Sequence, residues 1–401
     1  MINSRERQPQ ISPLKLLGDV RTSHFLAEYW QRRPLLARQV FPRGSGFAPL
    51  SNREILQLAA YDEAESRLIV NNGKLWTMEH GPFPARKFGA LKKAAIDGAS
   101  WAVLVQDTQH FSHEAHGLLR RFSFLPYSRI DDLMVSYASK GGGVGPHFDS
   151  YDVFLLQGSG RRRWQISAQT DQTLRTDVPV KILKNFKSEQ EWILEEGDML
   201  YLPPGVAHNG IAESDHCVTW SIGFRAPTYQ ELMDAYLDHL RDHLTIAGRY
   251  ADDRRTAVTQ PAFIDAVLRG NWSATLAAAI GGALTPDKIH SFAGSYLTQP
   301  KSHVQFNPPE HPATPSVFRR AALRHGLQLD LRSRMMFDAT HFYLNGRTIG
   351  SGTTLNSKQR SNLKQLANHR AIAAADLDAD LPGLLYEPWN NGELELSRSN
   401  S

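Results

Sequence analysis

The chain has 401 residues, 41% of them hydrophobic and 21% charged, with a formal net charge of +4. At that length two or three domains with ample apolar core are expected, and the mild positive excess is compatible with RNA or an acidic surface without arguing for either. No run approaches the ~20 apolar residues of a membrane span, and a single cysteine, Cys217, excludes intramolecular disulfides and a cysteine-based zinc site.

Residues 1 to about 12 read as a polar tail without the apolar core of a signal peptide, which leads to an expected cytoplasmic location. From Leu17 to Phe41 the pattern is helix-like, with Pro34 ending it. A short helix is expected over Asn52–Ala60, strand-like pieces around Ser66–Val70, a buried strand at Trp101–Val105 and a helix from His113 to Phe122. Then follow short strand candidates at Leu133–Tyr137, Tyr151–Gln157, Arg162–Ser167, Val178–Leu183, Trp192–Leu194, Met199–Leu202 and Cys217–Phe224. Strands this short, separated by Gly, Pro, Asp and Ser turns, suggest an all-β barrel or sandwich. The stretch Gln157–Arg161 reads as a hairpin turn.

After Pro227 the character changes. Leu232, Tyr236, Leu240 and Leu244, with Met233 and Leu237 beside them, form a helical apolar stripe that ends at Gly248. Further helical pieces are expected over Pro261–Leu268 and Ser273–Ile280, and a helical insert with so wide a stripe is expected to pair with a second copy. Pro308, Pro309, Pro312 and Pro315 mark a linker. Beyond it come a helix (Ser316–His325), a hairpin (His341–Ile349), a helix (Ser357–Asn368) and a final strand pair turning at Asn390-Asn391-Gly392, which together suggest a winged-helix-like module. That stretch lacks a dense basic stripe with interleaved aromatics, so scaffold or protein contact is at least as good a reading as nucleic-acid binding.

The chemistry is concentrated in a split ligand set, His147-Phe148-Asp149 and His208. His-x-Asp alone is a weak signal. Its context is stronger: the glycine-rich run Gly141–Pro146 precedes it and a strand signal follows it. On extended backbone, residues i and i+2 share a face, so His147 and Asp149 reach the same side. His208 follows the Pro203-Pro204-Gly205 turn, where prolines exclude a helix. Two neutral imidazoles and one carboxylate on one face of a metal form the facial triad of non-haem Fe(II) oxygenases. Within Arg161-Arg162-Arg163, alternation sets Arg162 with Trp164 and Ile166 on the inward face, where a buried guanidinium needs an anion.

Asp131-Asp132-Leu133-Met134, the run from Gly141 to Asp149, Tyr151–Phe154 and Gly160–Trp164 together resemble the JmjC-type ribosomal oxygenases, whose bacterial members hydroxylate an arginine of the large-subunit ribosomal protein L-sixteen. Tyr29–Pro34, His80–Phe83, Pro203–Gly205 and Ser221–Pro227 add to the resemblance, which covers about residues 25 to 227. It implies an α+β chain. The residues 1–227 would be an N-terminal extension plus a double-stranded β-helix (cupin/JmjC) oxygenase domain, its JmjC core at about 97–227. Residues 228–305 would be a helical dimerisation region and residues 306–401 a winged-helix-like domain. It further implies Fe(II) on His147, Asp149 and His208 and 2-oxoglutarate as co-substrate, with Arg162 and Ser136 on its distal carboxylate. The implied partners are a ribosomal-protein substrate and a second copy in a homodimer, with no membrane.

Tyr137, Tyr151 and Ser221 are candidates for the substrate side, where an arginyl substrate would want a carboxylate or π-face. The same chemistry on a histidine, or demethylation of a lysine, is the nearest rival. A metal-binding cupin without oxygenase activity is the second, and a winged-helix regulator with a vestigial barrel the third.

Overall fold

The computed structural model of the chain describes residues 16–397 apart from 74, 97, 253, 254 and 258; the expected polar tail at residues 1–12 lies outside them. The chain divides into two compact units, Met1–Ala226 and Pro227–Ser401. Among the described residues no helix is long and apolar enough to cross a membrane.

The first unit holds helices α1 (Thr22–Glu28), α2 (Asn52–Leu58), α3 (Ala85–Ile96) and α4 (His113–Arg120). Its strands are β1 (Leu35–Ala37), β2 (Ser66–Asn71), β3 (Trp76–His80), β4 (Ser100–Val105), β5 (Ile130–Ala138), β6 (Val153–Ser159), β7 (Arg161–Ser167), β8 (Gln190–Glu195), β9 (Met199–Leu202), β10 (Ala207–Ala212) and β11 (Cys217–Phe224). They form an eight-stranded sheet, β1-β9-β6-β11-β5-β4-β2-β3, and a three-stranded sheet, β10-β7-β8, antiparallel throughout. This is the double-stranded β-helix that the family resemblance implied.

Alternation along β11 explains how the large sheet is covered. Val218, Trp220, Ile222 and Phe224 join a core with Phe25, Phe122, Phe154 and Tyr201. Thr219, Ser221 and Gly223 occupy the opposite face, so the inner wall of the barrel is polar at its middle. Polar side chains inside a barrel need hydrogen-bond partners or a ligand. Thr219 donates to the Gln157 side chain at 3.0 Å and stands beside Ser136 in the β11–β5 register.

Five expectations change. The Leu17–Phe41 segment is the short α1 and then the edge strand β1, because Gln31 adopts a left-handed φ of 59° and Leu35–Ala37 pair with β9. Gln157–Arg161 is no hairpin: β6 pairs with β11 and β9, β7 with β10 and β8, so Gly160 turns a corner between sheets. Val178–Leu183 is not a strand. Its alternate residues Val178, Val180 and Ile182 do share a face, packing with Ile69, Ala102, Leu104 and Ala138. They cover the flank of the eight-stranded sheet without making a ladder, and only Leu183 forms an isolated bridge, with Leu174. The fourth lies in the second unit: the final strand pair is instead helix α10 (Leu381–Asn390) followed by strand β17 (Leu394–Leu396), which pairs with β12 (Leu327–Leu329). Pro382 stands in the first turn of α10, where its missing N–H costs nothing.

The second unit also carries α5 (Tyr229–His243), capped by a Thr228–Glu231 box. Where two short helical pieces were expected stands one eighteen-residue helix, α6 (Ala266–Ala283), and α7 (Pro286–Thr298) follows it. Helices α8 (Pro315–His325) and α9 (Ser357–His369) bury Phe318, Leu363 and Leu366 with Trp389 of α10. The strands β13 (Met335–Phe337), β14 (Phe342–Leu344) and β15 (Arg347–Ile349) form the wing. The wing packs on α7: Gly346 donates its N–H to the Thr298 hydroxyl at 3.0 Å, and a Cβ on Gly294 would stand 2.3 Å from the Tyr343 ring.

Candidate metal and co-substrate site

Backbone pairing brings together residues some sixty positions apart. His147 and His208 form an isolated antiparallel bridge, each N–H donating to the other's carbonyl at 2.9 and 2.7 Å. Gly205 of the Pro-Pro-Gly turn donates to the Asp149 carbonyl at 2.8 Å. Two glycines allow this approach. A Cβ on Gly143 would stand 2.3 Å from the Gly210 carbonyl oxygen, and Gly145 adopts a φ of +81° that L side chains rarely adopt.

The three side chains converge, one donor atom from each lying within 4.8 Å of the others. The rings of His147 and His208 have centroids 4.2 Å apart, and His208 Nε2 lies 3.7 Å from Asp149 Oδ2. Both imidazoles are oriented from behind. His147 Nδ1 lies 2.9 Å from the Gly145 carbonyl, and His208 Nδ1 lies 2.9 Å from that of Val206. A carbonyl only accepts, so each Nδ1 carries the proton and each Nε2 presents its lone pair, as a metal requires. Burial, and then the neighbouring His147, lower the His208 pKa to about 4, keeping that ring neutral and competent to ligate at physiological pH. The donor set and its tautomers fit a divalent metal with an open face.

Arg162, on β7, is 3% exposed. Its only described hydrogen bond is a long one, 3.4 Å from Nη2 to the Ser136 hydroxyl, and its Nε has no partner. Among the described residues no acidic side chain pairs with it. A buried guanidinium in that condition is a site for an anion from outside the chain, with two parallel donors suited to a carboxylate. Trp164 stands between the two halves of the site, its ring 5.9 Å from that of His208 and 5.8 Å from the Arg162 guanidinium carbon. The structure thus juxtaposes Ser136 with Arg162, and His147 with Asp149 and His208.

Of the substrate-side candidates, Tyr151 adjoins the donors: burial, and then the neighbouring carboxylates of Asp149, Asp132 and Asp131, raise its pKa. Ser221 lies on the inner face of β11. Tyr137 does not belong to the site. It faces the opposite side of β5, packed against Trp101, with its hydroxyl 2.5 Å from His216 Nδ1. The sequence reading missed Asp132, which is 8% exposed and lies where a Cβ on Gly223 would stand 3.0 Å from its Oδ1 and 3.9 Å from Tyr151. The acidic pair Asp131-Asp132 near the start of β5, ahead of the apolar Leu133-Met134-Val135, was the available signal.

Comparison with known proteins agrees with this arrangement. A JmjC domain family model matches residues 117–232, and a ROXA-like winged helix model matches residues 275–395. The Escherichia coli (strain K12) protein "Ribosomal protein uL16 3-hydroxylase" is 30% identical over 352 residues, 87% of this chain and 89% of that one.

The chain belongs to the JmjC ribosomal oxygenases.

Among solved structures, this ribosomal oxygenase superposes on E. coli ycfD with a TM-score of 0.78 at 28% identity, covering 94% of this chain and 98% of that one. It matches YcfD in complex with cobalt and 2-oxoglutarate at a TM-score of 0.75, again at 28% identity and with the same coverage. The winged-helix match begins at 275, so it includes α7, in keeping with the packing of α7 on the wing.

Proposed function

We propose that this chain is an Fe(II)- and 2-oxoglutarate-dependent oxygenase that hydroxylates an arginine of ribosomal protein uL16. The observation that carries the reading is the convergence of His147, Asp149 and His208 beside a buried arginine with no acidic partner among the described residues. In this reading the three residues hold Fe(II), and Arg162 with Ser136 holds the distal carboxylate of 2-oxoglutarate. Iron bound there would supply the O2 activation by which one oxygen atom enters a C–H bond to give C–OH and the other oxidises 2-oxoglutarate to succinate and CO2. The protein fixes the donors from behind, keeps the His208 imidazole neutral and excludes water with Trp164 and the apolar residues around it. Release of succinate in step with hydroxylation of a uL16 peptide tests the proposal; a chain that binds metal but makes no succinate would be the non-enzymatic cupin instead.

Carboxylates around Tyr151 favour a guanidinium over an imidazole at the mouth of the site, which supports arginine over histidine as substrate. Charge, more than ring faces, surrounds that tyrosine, and so lysine demethylation is the weaker alternative. Asp132→Asn is expected to raise KM for the uL16 peptide about ten- to a hundredfold, the loss of one charge-assisted hydrogen bond, with KM for 2-oxoglutarate unchanged. Steady-state succinate assays varying each substrate in turn distinguish these effects.

The second unit supports a homodimer. Among the residues of α6 only Ala283 is buried, while Val267, Trp272, Leu276 and Ile280 are exposed. A helix apolar on all sides requires cover. Its single charge, Arg269, gives no basis for selecting a charged partner, whereas an isologous contact matches the helix to itself. We place this contact in residues 228–305, with residues 306–401 as a winged-helix-like scaffold and the catalytic barrel in residues 1–227. Leu276→Glu with Ile280→Glu is expected to convert a dimer to a monomer in sedimentation velocity. The wing is fastened to α7 by Gly346 and Tyr343, which favours a scaffold role for this module over a free nucleic-acid reader. As a modifier of a ribosomal protein without a membrane-spanning helix among its described residues, the chain is assigned to the cytoplasm.

A further inference from the structure

The stretch 171–186, between β7 and β8, is the candidate that the proposed chemistry leaves unused. It is folded back on itself: Arg175 donates its N–H to the Ile182 carbonyl at 2.8 Å, Lys184 donates to Thr173 at 2.8 Å, and Leu174 bridges Leu183. Its inner side carries Val180 and Ile182, 9% and 3% exposed, into the core formed by β2, β4 and β5. It is also fastened to the loop that presents the first histidine. Leu183 donates its N–H to the Pro146 carbonyl at 2.7 Å, adjoining His147. The Ile182 side chain fills the space beside Gly145: a Cβ there would stand 2.8 Å from Ile182 Cδ1 and 3.4 Å from the Trp76 ring.

Gly145 is also the residue whose carbonyl accepts from His147 Nδ1 at 2.9 Å. Each hydrogen bond behind a metal-bound imidazole fixes ring orientation and tautomer, so what fixes the acceptor fixes the ligand. Gly145 has no side chain of its own to anchor it, and its anchoring comes from Ile182 and Trp76 packed against it and from Leu183 on the next carbonyl. His208 is positioned differently, from Val206 within the Pro-Gly turn and strand β10.

We propose that the 171–186 loop is a positioning element for the metal centre, with Ile182 as the positioning residue that sets His147 through Gly145. The inference rests on the reading of His147 as a metal ligand. It makes the two histidines unequal: His208 is held by the barrel, His147 by a loop that can be edited.

Cobalt(II) binding to the full chain, followed by visible absorption in the absence of 2-oxoglutarate, tests this, with thermal unfolding of the metal-free protein measured in parallel. Ile182→Ala is expected to weaken cobalt binding about tenfold, the lower end for a residue that orients a ligand. Ile182→Val removes only the methyl nearest Gly145 and is expected to weaken it by a smaller factor, which keeps the test open if the alanine variant does not fold. Val180→Ala removes apolar bulk from the same loop without touching Gly145; it is expected to lower the unfolding temperature and leave cobalt affinity unchanged. Wild-type cobalt affinity in both Ile182 variants, or an equal loss in Val180→Ala, would overturn the proposal. Unchanged cobalt binding in His147→Ala would instead refute the ligand assignment on which it rests.

Discussion

Asp149→Ala is expected to abolish the succinate release that the uL16 peptide stimulates and to leave the fold intact. Asp149 is the one anionic donor of the three, 21% exposed, and its backbone rather than its side chain holds the Pro-Pro-Gly turn through Gly205. Removing its carboxylate leaves two neutral imidazoles, a ligand set with neither the charge nor the third facial position that ferrous iron requires. The side chain is half-buried and supports no backbone turn, so the circular dichroism spectrum of the metal-free variant should match that of the parent, with only a small change in unfolding temperature. Isothermal titration with manganese(II), a redox-silent stand-in, should show metal binding lost along with turnover. Retained turnover would show that the cluster of His147, Asp149 and His208 is not the metal centre.

Arg162→Met has two effects of opposite sign. In the complete enzyme it removes the cation proposed to hold the distal carboxylate. Truncating one partner of a buried charge pair costs about 2–5 kcal/mol, equivalent to a rise of roughly thirty- to several-thousandfold in KM for 2-oxoglutarate. Arg162→Lys should fall between, because an ammonium cannot supply two parallel donors. In the protein without co-substrate the direction reverses. Arg162 is then a buried charge whose Nε has no partner and whose contact with Ser136 is long. Replacing it with an apolar side chain of similar volume removes a desolvation cost, so the variant should unfold at or above the parent's temperature. Scanning calorimetry with manganese(II) present throughout, with and without 2-oxoglutarate, reads both effects: the co-substrate should raise the unfolding temperature of the parent and raise that of the variant far less. A destabilised variant that still binds 2-oxoglutarate would assign Arg162 to the core.

Much of this was legible in the sequence, for identifiable reasons. Strand β11 was read to the residue, Cys217–Phe224, because its apolar alternation is strong and turns bound it at both ends. The three donors were legible because a pair at i and i+2 beside a glycine run, with a later histidine after a Pro-Gly turn, has few other uses. Non-local pairing was harder to read. Gln157–Arg161 looks like a hairpin turn locally, yet hydrogen bonding sends β6 and β7 to different sheets. Val178–Leu183 has the period of a strand because it packs like one, and nothing local shows that its ladder is absent. The one long helix α6 was split into two by Gly270 and Asn271, whose low helix propensity was outweighed by the residues on either side. Asp132 went unassigned because its proposed role depends on Tyr151 and Gly223, which reach it only through the fold.

The central claim, that this chain uses one metal and one keto acid to hydroxylate an arginine of uL16, is tested most directly by intact-mass and peptide mass spectrometry of ribosomal proteins. Cells carrying the chain are compared with cells lacking it and with cells carrying Asp149→Ala. The account predicts one additional oxygen atom on a single uL16 arginine only where the unsubstituted chain is present. Identical uL16 masses in all three, or an oxygen that persists with Asp149→Ala, would contradict it.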